Sequence, residues 1–200
     1  MSKKLVYLLP ALLALGACVH QGAVAPVAPQ AQPEVHAIPN YVGAKVESLS
    51  ASATAEYMSR EFKALTKSLA EHTANDWQFT QLTDGSIRLQ IPSKFAFDTN
   101  SAELRPVALD VCAKLARIAQ DYNRTVLHIV VSGRDAKPVE FSQSLSDRRA
   151  AALAAYMSEQ GLDETRLRDE GATSDKNGAL IFVIKPVVAG AEPQAWVSPS

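Results

Sequence analysis

The chain has 200 residues, and its 20 basic residues nearly balance its 21 acidic ones, for a net charge of −1. This length is enough for one domain of ordinary size with flanking segments. The balanced charge lacks the basic excess that binds nucleic acid or an anionic membrane surface, so we expect no nucleic-acid partner.

The first residues have the order of a secretory signal that ends in a cysteine. Lys3 and Lys4 give a positive start, and an apolar run from Leu5 to Leu15 is too short to span a bilayer. The following Gly-Ala-Cys resembles the lipobox of bacterial lipoproteins. That resemblance implies a signal peptide over residues 1–17, cut before Cys18, and a lipid on Cys18. The alternative is an ordinary secretory signal with a coincidental cysteine.

Residues 18–40 are rich in proline and alanine and show no apolar periodicity, which is typical of an extended, disordered tether. Some lipoproteins are retained at the inner membrane by an acidic residue directly after the cysteine, but Val19 stands there in this chain. We therefore expect a lipid anchor in the outer membrane, with the chain facing the periplasm.

The second cysteine, Cys112, has no partner for an intrachain disulfide if Cys18 carries a lipid. It lies in a helical pattern beside Val111 and Leu115. A buried, inert thiol is therefore expected rather than a nucleophile.

Residues 41–75 have apolar side chains at steps of three and four, which predicts an amphipathic spacer helix or a pair of helices. The pattern leaves open whether this segment packs on the domain that follows or on a second copy of the chain. The positions that carry it are Val42, Val46, Leu49, Ala53, Met58, Phe62, Leu65, Leu69 and His72.

Residues 76–188 alternate between strand-like and helix-like patterns. The stretches WQFTQ and SIRLQI alternate apolar and polar side chains on either side of Asp84-Gly85, which predicts a hairpin. Pro106 is well placed in the first turn of a helix that ends near Tyr122.

Two apolar runs, residues 126–133 and 179–188, predict buried strands. A helix precedes Gly161, which is a suitable C-terminal cap, and the residues after it form a loop or short strand. Residues 189–200 are expected to be a disordered tail. The pattern as a whole predicts one α/β domain.

The helix over residues 141–157 carries an unusual side chain on its buried face. Leu145, Leu153 and Tyr156 share one face with Ala152, and at 100° per residue Arg149 falls on the same face. A guanidinium in an apolar stripe needs a partner, because burying an unpaired charge is costly.

Several stretches, in this order and spacing, resemble the OmpA-like C-terminal domain, the peptidoglycan-binding module of Pal-type lipoproteins and other envelope proteins. The resemblance implies a βαβαβ-type fold with a small mixed sheet packed by helices, here preceded by the spacer helix and the tether. It rests on DGSIRLQIP, FDTNSAELRP, VVSGRD, SLSDRRAAALAAYM and GLDETRLRDEGA.

The resemblance also implies a binding site. In that family the second Arg of the Leu-Ser-x-Arg-Arg-Ala motif holds a carboxylate of diaminopimelate, and an Asp after the preceding strand meets the ligand's amine. The matching positions here are Arg149 and Asp135. Thr99 and Asn100 match the first loop of the cleft, and Ser142 stands where the family has an Asn. The alternative is that Arg149 pairs with Asp135 or Asp147 without any ligand.

This sequence departs from the family pattern in two loops. Gly133-Arg134-Asp135 is one residue short, and the family's Asn-Arg-Arg before the last strand is replaced by Lys176-Asn177 and the residues that follow. One ligand contact implied by the resemblance is therefore absent, and Arg134 and Lys176 are the candidates to replace it.

We expect no enzymatic activity, cofactor or metal. The sequence has no Gly-x-Ser-x-Gly, Ser-x-x-Lys or phosphate-binding glycine-rich motif. The four His residues are not spaced as metal ligands, and His128 reads as an ordinary strand residue.

The sequence leaves two candidate functions open. The first is an outer-membrane lipoprotein, anchored through Cys18, that binds peptidoglycan non-covalently through the diaminopimelate stem peptide. The second is a degenerate OmpA-like subunit of an envelope-spanning secretion or conjugation assembly, acting on other envelope proteins. The shortened loops favour the second function, and Arg149 favours the first.

Overall fold

The computed structural model describes residues 35–37, 46–72, 76–133, 139–172, 178–191 and 195–197. The predicted signal peptide, Cys18 and most of the tether lie outside these residues. The elements in chain order are β1 (Val35–Ala37), α1 (Ala51–Ser68), β2 (Gln78–Gln81), β3 (Ile87–Pro92), α2 (Pro106–Asp121), β4 (Thr125–Ser132), α3 (Val139–Glu159), β5 (Leu167–Ala172), β6 (Ala179–Pro186) and β7 (Ala195–Val197).

Five strands form one mixed sheet in the order β2-β3-β6-β4-β5. The neighbours are antiparallel except β4 and β5, which are parallel and are joined by the crossover helix α3. The central strand β6 and its neighbour β4 are buried over all eight of their residues. The predicted α/β fold with a small mixed sheet is confirmed.

The three helices pack on one face of this sheet and share one apolar core with it. Ile129 in β4 and Phe182 in β6 lie opposite each other on that face and are fully buried. The helices add Met58, Leu65, Val111, Leu115, Leu153 and Met157 to the same core. Among the described residues, no helix has the length and apolar character needed to cross a membrane.

Helix α1 is shorter than the predicted spacer over residues 41–75. It begins at Ala51, after Ser50 caps it by accepting a hydrogen bond from Ala53 N at 3.3 Å. The chain before it is extended, because Leu49 N donates to Val187 O at 2.7 Å and Leu49 O accepts from Ala189 N at 2.9 Å. Competition from this strand-like pairing moves the helix start ten residues later than the periodicity predicts.

The apolar face of α1 packs on the domain, which answers the question the sequence left open. Of the predicted positions from Met58 onward, Met58, Leu65 and Leu69 are almost fully inaccessible, and the partly buried His72 stacks on Trp77 with 5.0 Å between the ring centres. A helix whose apolar face is filled in this way belongs to the core of the domain rather than to a free spacer.

Glu61 is fully buried on the same face of α1. One carboxylate oxygen lies 3.5 Å from Thr125 Oγ1, and the other has no hydrogen-bond partner. The neighbouring Arg166 is also buried but donates to backbone oxygens of Thr125 and Tyr122, at 2.8 and 3.0 Å.

Within the predicted tether and tail, the structure describes residues 35–37 and 195–197. Val35–Ala37 and Ala195–Val197 pair as a two-stranded antiparallel sheet, with His36 opposite Trp196. Valine and tryptophan favour extended backbone, but segments of three residues are too short to show an apolar period in the sequence.

Helix α3 lies unusually close to β4 and β5 at two glycines. A Cβ on Gly171 would lie 2.3 Å from the backbone nitrogen of Asp147, and one on Gly133 would lie 2.6 Å from Ser142 Oγ. Gln143 Nε2 donates to Gly171 O at 2.8 Å in the same contact. The absence of side chains at these glycines therefore sets the distance between the crossover helix and the sheet.

We predict a pH-dependent contribution of Glu61 to stability. Burial raises the pKa of this carboxyl to about 8, although Arg166 and the Thr125 hydrogen bond act in the opposite direction. Between about pH 4.5 and 8 the carboxyl is protonated in the folded chain and ionised in the unfolded chain. Its contribution to the free energy of unfolding is thus fully present below about pH 4.5 and is lost as the pH rises to 8, by at most about 1.4 kcal/mol per pH unit.

Urea unfolding of the wild-type chain and Glu61→Gln across pH 4.5 to 9 measures this contribution. The variant carries a neutral amide of similar shape, so its stability should depend less on pH in this window. A difference between the two proteins that does not change with pH would contradict the prediction.

We also predict that Gly171→Ala lowers the free energy of unfolding by about 2–3 kcal/mol, because its methyl group collides with backbone of α3. Gly190→Ala is the control, since a Cβ there meets nothing within 4 Å and costs only about 1 kcal/mol through its φ of +72°. Equal losses in the two variants, measured by chemical unfolding, would show that the close helix–sheet approach is unimportant.

Candidate functional site

A cleft of about 590 Å³ opens between the loop that follows β3 and the N-terminal half of α3. Gly133, at the end of β4, forms part of its floor. The lining consists of Pro92, Ser93, Lys94, Phe97, Asp98, Thr99, Asn100, Arg105, Gly133, Ser142, Leu145 and Arg149. Four of the five sequence-predicted binding residues are therefore brought together in one cleft: Thr99, Asn100, Ser142 and Arg149.

The buried face of α3 explains why Arg149 reaches this cleft. Small side chains, Ser142 and Ser146, lie against Gly133, and this close contact turns the next positions of the same face toward the loop after β3. Arg149 lies one helical turn further along and is only 7% exposed. Arg148, on the neighbouring position, is exposed and donates back to Ser144 O in its own helix.

The Arg149 guanidinium is held by neutral groups. Its Nε donates to Ser101 O at 2.7 Å, and Nη2 donates to Asp98 O at 2.9 Å. The group lies over the Phe97 ring, 4.8 Å from the ring centre, which is the geometry of a cation–π contact. Burial lowers its pKa, but an arginine remains protonated in proteins.

Arg149 has no carboxylate partner among the described residues. The alternative pairing with Asp147 is wrong, because Asp147 is exposed and accepts from Gln143 Nε2 at 2.7 Å. Asp135, together with Arg134 and Lys176, lies outside the described residues. Within the described part of the chain, no acidic side chain neutralises the charge of Arg149 in the wall of the cleft.

The loop that Arg149 holds is a tight turn. Ser101 N donates to Asp98 O at 3.2 Å, and Asn100 adopts a left-handed φ of +59°. Asparagine tolerates this conformation better than most residues. Thr99 and Asn100 are exposed and line the cleft, while Ser142 is buried against Gly133.

Two further cations, Lys94 and Arg105, line the cleft and were missed by sequence reasoning. Arg105 Nη1 donates to Lys94 O at 2.8 Å, and Arg105 Nε lies 3.7 Å from Asp98 Oδ1. The single signal for them in the sequence is the position of Arg105 directly before Pro106, which opens α2 beside the cleft.

The remaining candidate groups of the described residues lie outside the cleft. Cys112 is buried, and burial raises the pKa of its thiol to about 12, which suits an inert core residue. His128 is buried in β4 near Glu170, and burial lowers its pKa.

One cluster of possible metal ligands, Glu71, His72 and Asp110, has its ligand atoms within 4.8 Å of one another. The ammonium group of Lys114 contacts both carboxylates, at 2.8 Å in the case of Asp110. The lysine therefore already supplies the positive charge that a metal ion would bring.

No protein-family model matches the chain. Among curated proteins, "Probable lipoprotein YiaD" of Escherichia coli (strain K12) is 27% identical over 86 residues, which are 43% of this chain. The match covers 39% of the length of that protein.

Solved structures share the fold at low identity. A MotB-like protein from Desulfovibrio vulgaris is 20% identical with a TM-score of 0.52, covering 70% of this chain and 99% of that one. The periplasmic domain of Helicobacter pylori MotB is 14% identical with a TM-score of 0.52, covering 60% of this chain and 85% of that one.

The cell wall anchor of the T6SS from Pseudomonas aeruginosa is 18% identical with a TM-score of 0.50, covering 61% of this chain and 96% of that one. At these identities the likeness shows the fold alone. With its β4-α3-β5 crossover and its mixed five-stranded sheet, the chain has the fold of an OmpA-like domain.

Proposed function

We propose that this chain is a non-catalytic, lipid-anchored protein of the outer membrane that attaches to peptidoglycan. In this proposal Arg149 holds a carboxylate of diaminopimelate in the stem peptide. The observation that carries the proposal is a buried guanidinium in the wall of a cleft of about 590 Å³ with no carboxylate partner among the described residues.

The chemistry of the cleft suits a carboxylate ligand. Backbone carbonyls fix the guanidinium but leave its charge in place, and its other N–H groups are available to a ligand. A planar guanidinium can bind a carboxylate with two parallel hydrogen bonds, and partial burial strengthens such a pair. Phe97 beneath the guanidinium restricts its motion, so little order is lost on binding.

The ligand's amine requires an anionic partner near the carboxylate site. By resemblance this is Asp135, which follows Gly133 of the cleft floor by two residues in the chain. A zwitterionic amino-acid centre would then meet a cation and an anion on adjacent sides.

The lipid anchor rests on Cys18 and the signal-like segment before it. The relative "Probable lipoprotein YiaD" supports an envelope lipoprotein, and Val19 supports the outer membrane over the inner one. A tether between the lipid and the domain would let the cleft reach a peptidoglycan layer at a distance from the membrane.

A non-catalytic role is part of the proposal. The described lining of the cleft contains several hydroxyl groups but only one carboxylate, that of Asp98. It contains neither histidine nor cysteine. A hydrolase would need an activated nucleophile, a metal or paired carboxylates in that cleft.

We predict that the full chain, purified in mild detergent, co-sediments with isolated peptidoglycan and that Arg149→Gln weakens this binding at least tenfold. Loss of one partner of a buried charged pair costs about 2–5 kcal/mol. Arg148→Gln removes the same charge from an exposed site on the same helix, so it should bind like wild type. Asp135→Asn should also weaken binding.

Circular dichroism and thermal unfolding of each variant separate lost binding from lost folding, since Arg149 also holds the Asp98–Ser101 turn. If folded Arg149→Gln sediments as well as wild type, the arginine is structural. If wild type itself stays in solution and instead co-purifies with other envelope proteins, the chain is a subunit of an envelope-spanning assembly.

A further inference from the structure

The described lining of the cleft carries more positive charge than one carboxylate can neutralise. Lys94, Arg105 and Arg149 all line it, against Asp98 as the one acidic side chain of that lining. Lys94 and Arg105 are exposed at the mouth, whereas Arg149 is buried in the wall. The cleft thus has an inner cationic position and an outer one.

Both positions are tied to the same residue. Arg149 donates to the backbone carbonyl of Asp98 at 2.9 Å, and Arg105 lies 3.7 Å from its carboxylate. The two guanidinium groups therefore contact opposite ends of one residue. A ligand long enough to pass Asp98 could meet both of them.

Arg105 is fixed in place although it is exposed. Its backbone nitrogen donates to Ala96 O at 2.9 Å, and its Nη1 donates to Lys94 O at 2.8 Å. The Asp98 side chain is 77% exposed and too distant for a short hydrogen bond, so it neutralises Arg105 weakly. The guanidinium is oriented by the protein while much of its charge remains available.

Lys94 strengthens the outer position. Its ammonium group lies 5.1 Å from the centre of the Phe95 ring, which keeps the side chain against the domain. Its carbonyl is the group that orients Arg105, so the two cations are linked through one residue.

We propose that the cleft binds two carboxylates of one ligand, the first at Arg149 and the second at the outer position formed by Arg105 and Lys94. This rests on the proposed function, and it narrows the ligand to stem peptides with a second free carboxylate. With diaminopimelate at Arg149, the second group is the free carboxylate of the preceding glutamate. Peptides amidated at that glutamate are poorer ligands.

The test is calorimetric titration of the full chain with two synthetic muramyl tripeptides that end in diaminopimelate, one with all carboxylates free and one amidated at the glutamate. Wild type should bind the free peptide about fivefold more tightly, the size expected of one partly exposed ion pair. This preference should shrink at high salt because the outer position is exposed.

Arg105→Gln should bind the two peptides with equal affinity, and Lys94→Gln should reduce the preference for the free peptide. Arg117→Gln is the charge-matched control, because Arg117 is exposed on α2 and does not line the cleft. Arg149→Gln should weaken binding of both peptides.

The outcomes separate the two proposals. If wild type binds both peptides equally, or if Arg105→Gln and Lys94→Gln both keep the full preference, the outer position does not recognise the glutamate carboxylate. This inference is then wrong, while peptidoglycan binding stands. If wild type binds neither peptide, the proposed function fails and this inference fails with it.

Discussion

The close approach of α3 to the edge of the sheet is the constraint on which the site depends. Gly133 and Gly171 carry no side chains, so the helix backbone around Ser146 and Asp147 lies directly against β4 and β5. This contact fixes both the distance between the helix and the sheet and the rotation of the helix about its own axis. Arg149 is one turn further along the helix, and its side chain reaches the turn at Asp98, where its Nη2 donates to Asp98 O.

Two buried arginines of this fold show how the surroundings decide what a charge does. Arg166 donates to backbone oxygens near the start of β4 and has the buried carboxyl of Glu61 beside it, deep in the core. Arg149 also donates to backbone oxygens, but its remaining N–H groups line an open cleft. The first arginine lies beside a carboxyl group of α1 in the core, and the second lies in the wall of a cleft, where the proposed function gives it an anionic ligand.

Local patterns in the sequence predicted most of the domain. Pro106 marked the start of α2, the apolar run before Gly133 marked β4, and Arg149 was recognised because it breaks an otherwise apolar stripe. Glu61 breaks the stripe of α1 in the same way, between Met58 and Leu65, and the same logic would have found it. The start of α1 was missed because Leu49 pairs with a segment more than a hundred residues away. Lys94 and Arg105 were missed because the hydrogen bond from the Arg105 side chain to Lys94 O, which brings them together, leaves no pattern in the sequence.

The pairing of Leu49 with the residues after β6 also determines how the domain would carry a mechanical load. A pull applied to residues 46–48, directly before Leu49, first reaches the hydrogen bonds of Leu49 with Val187 O and Ala189 N. Val187 directly follows β6, the middle strand of the five, which is flanked on both sides by full ladders of hydrogen bonds. Tension would therefore enter the sheet at its most strongly bonded strand rather than peel an edge strand away, which would suit the attachment proposed above.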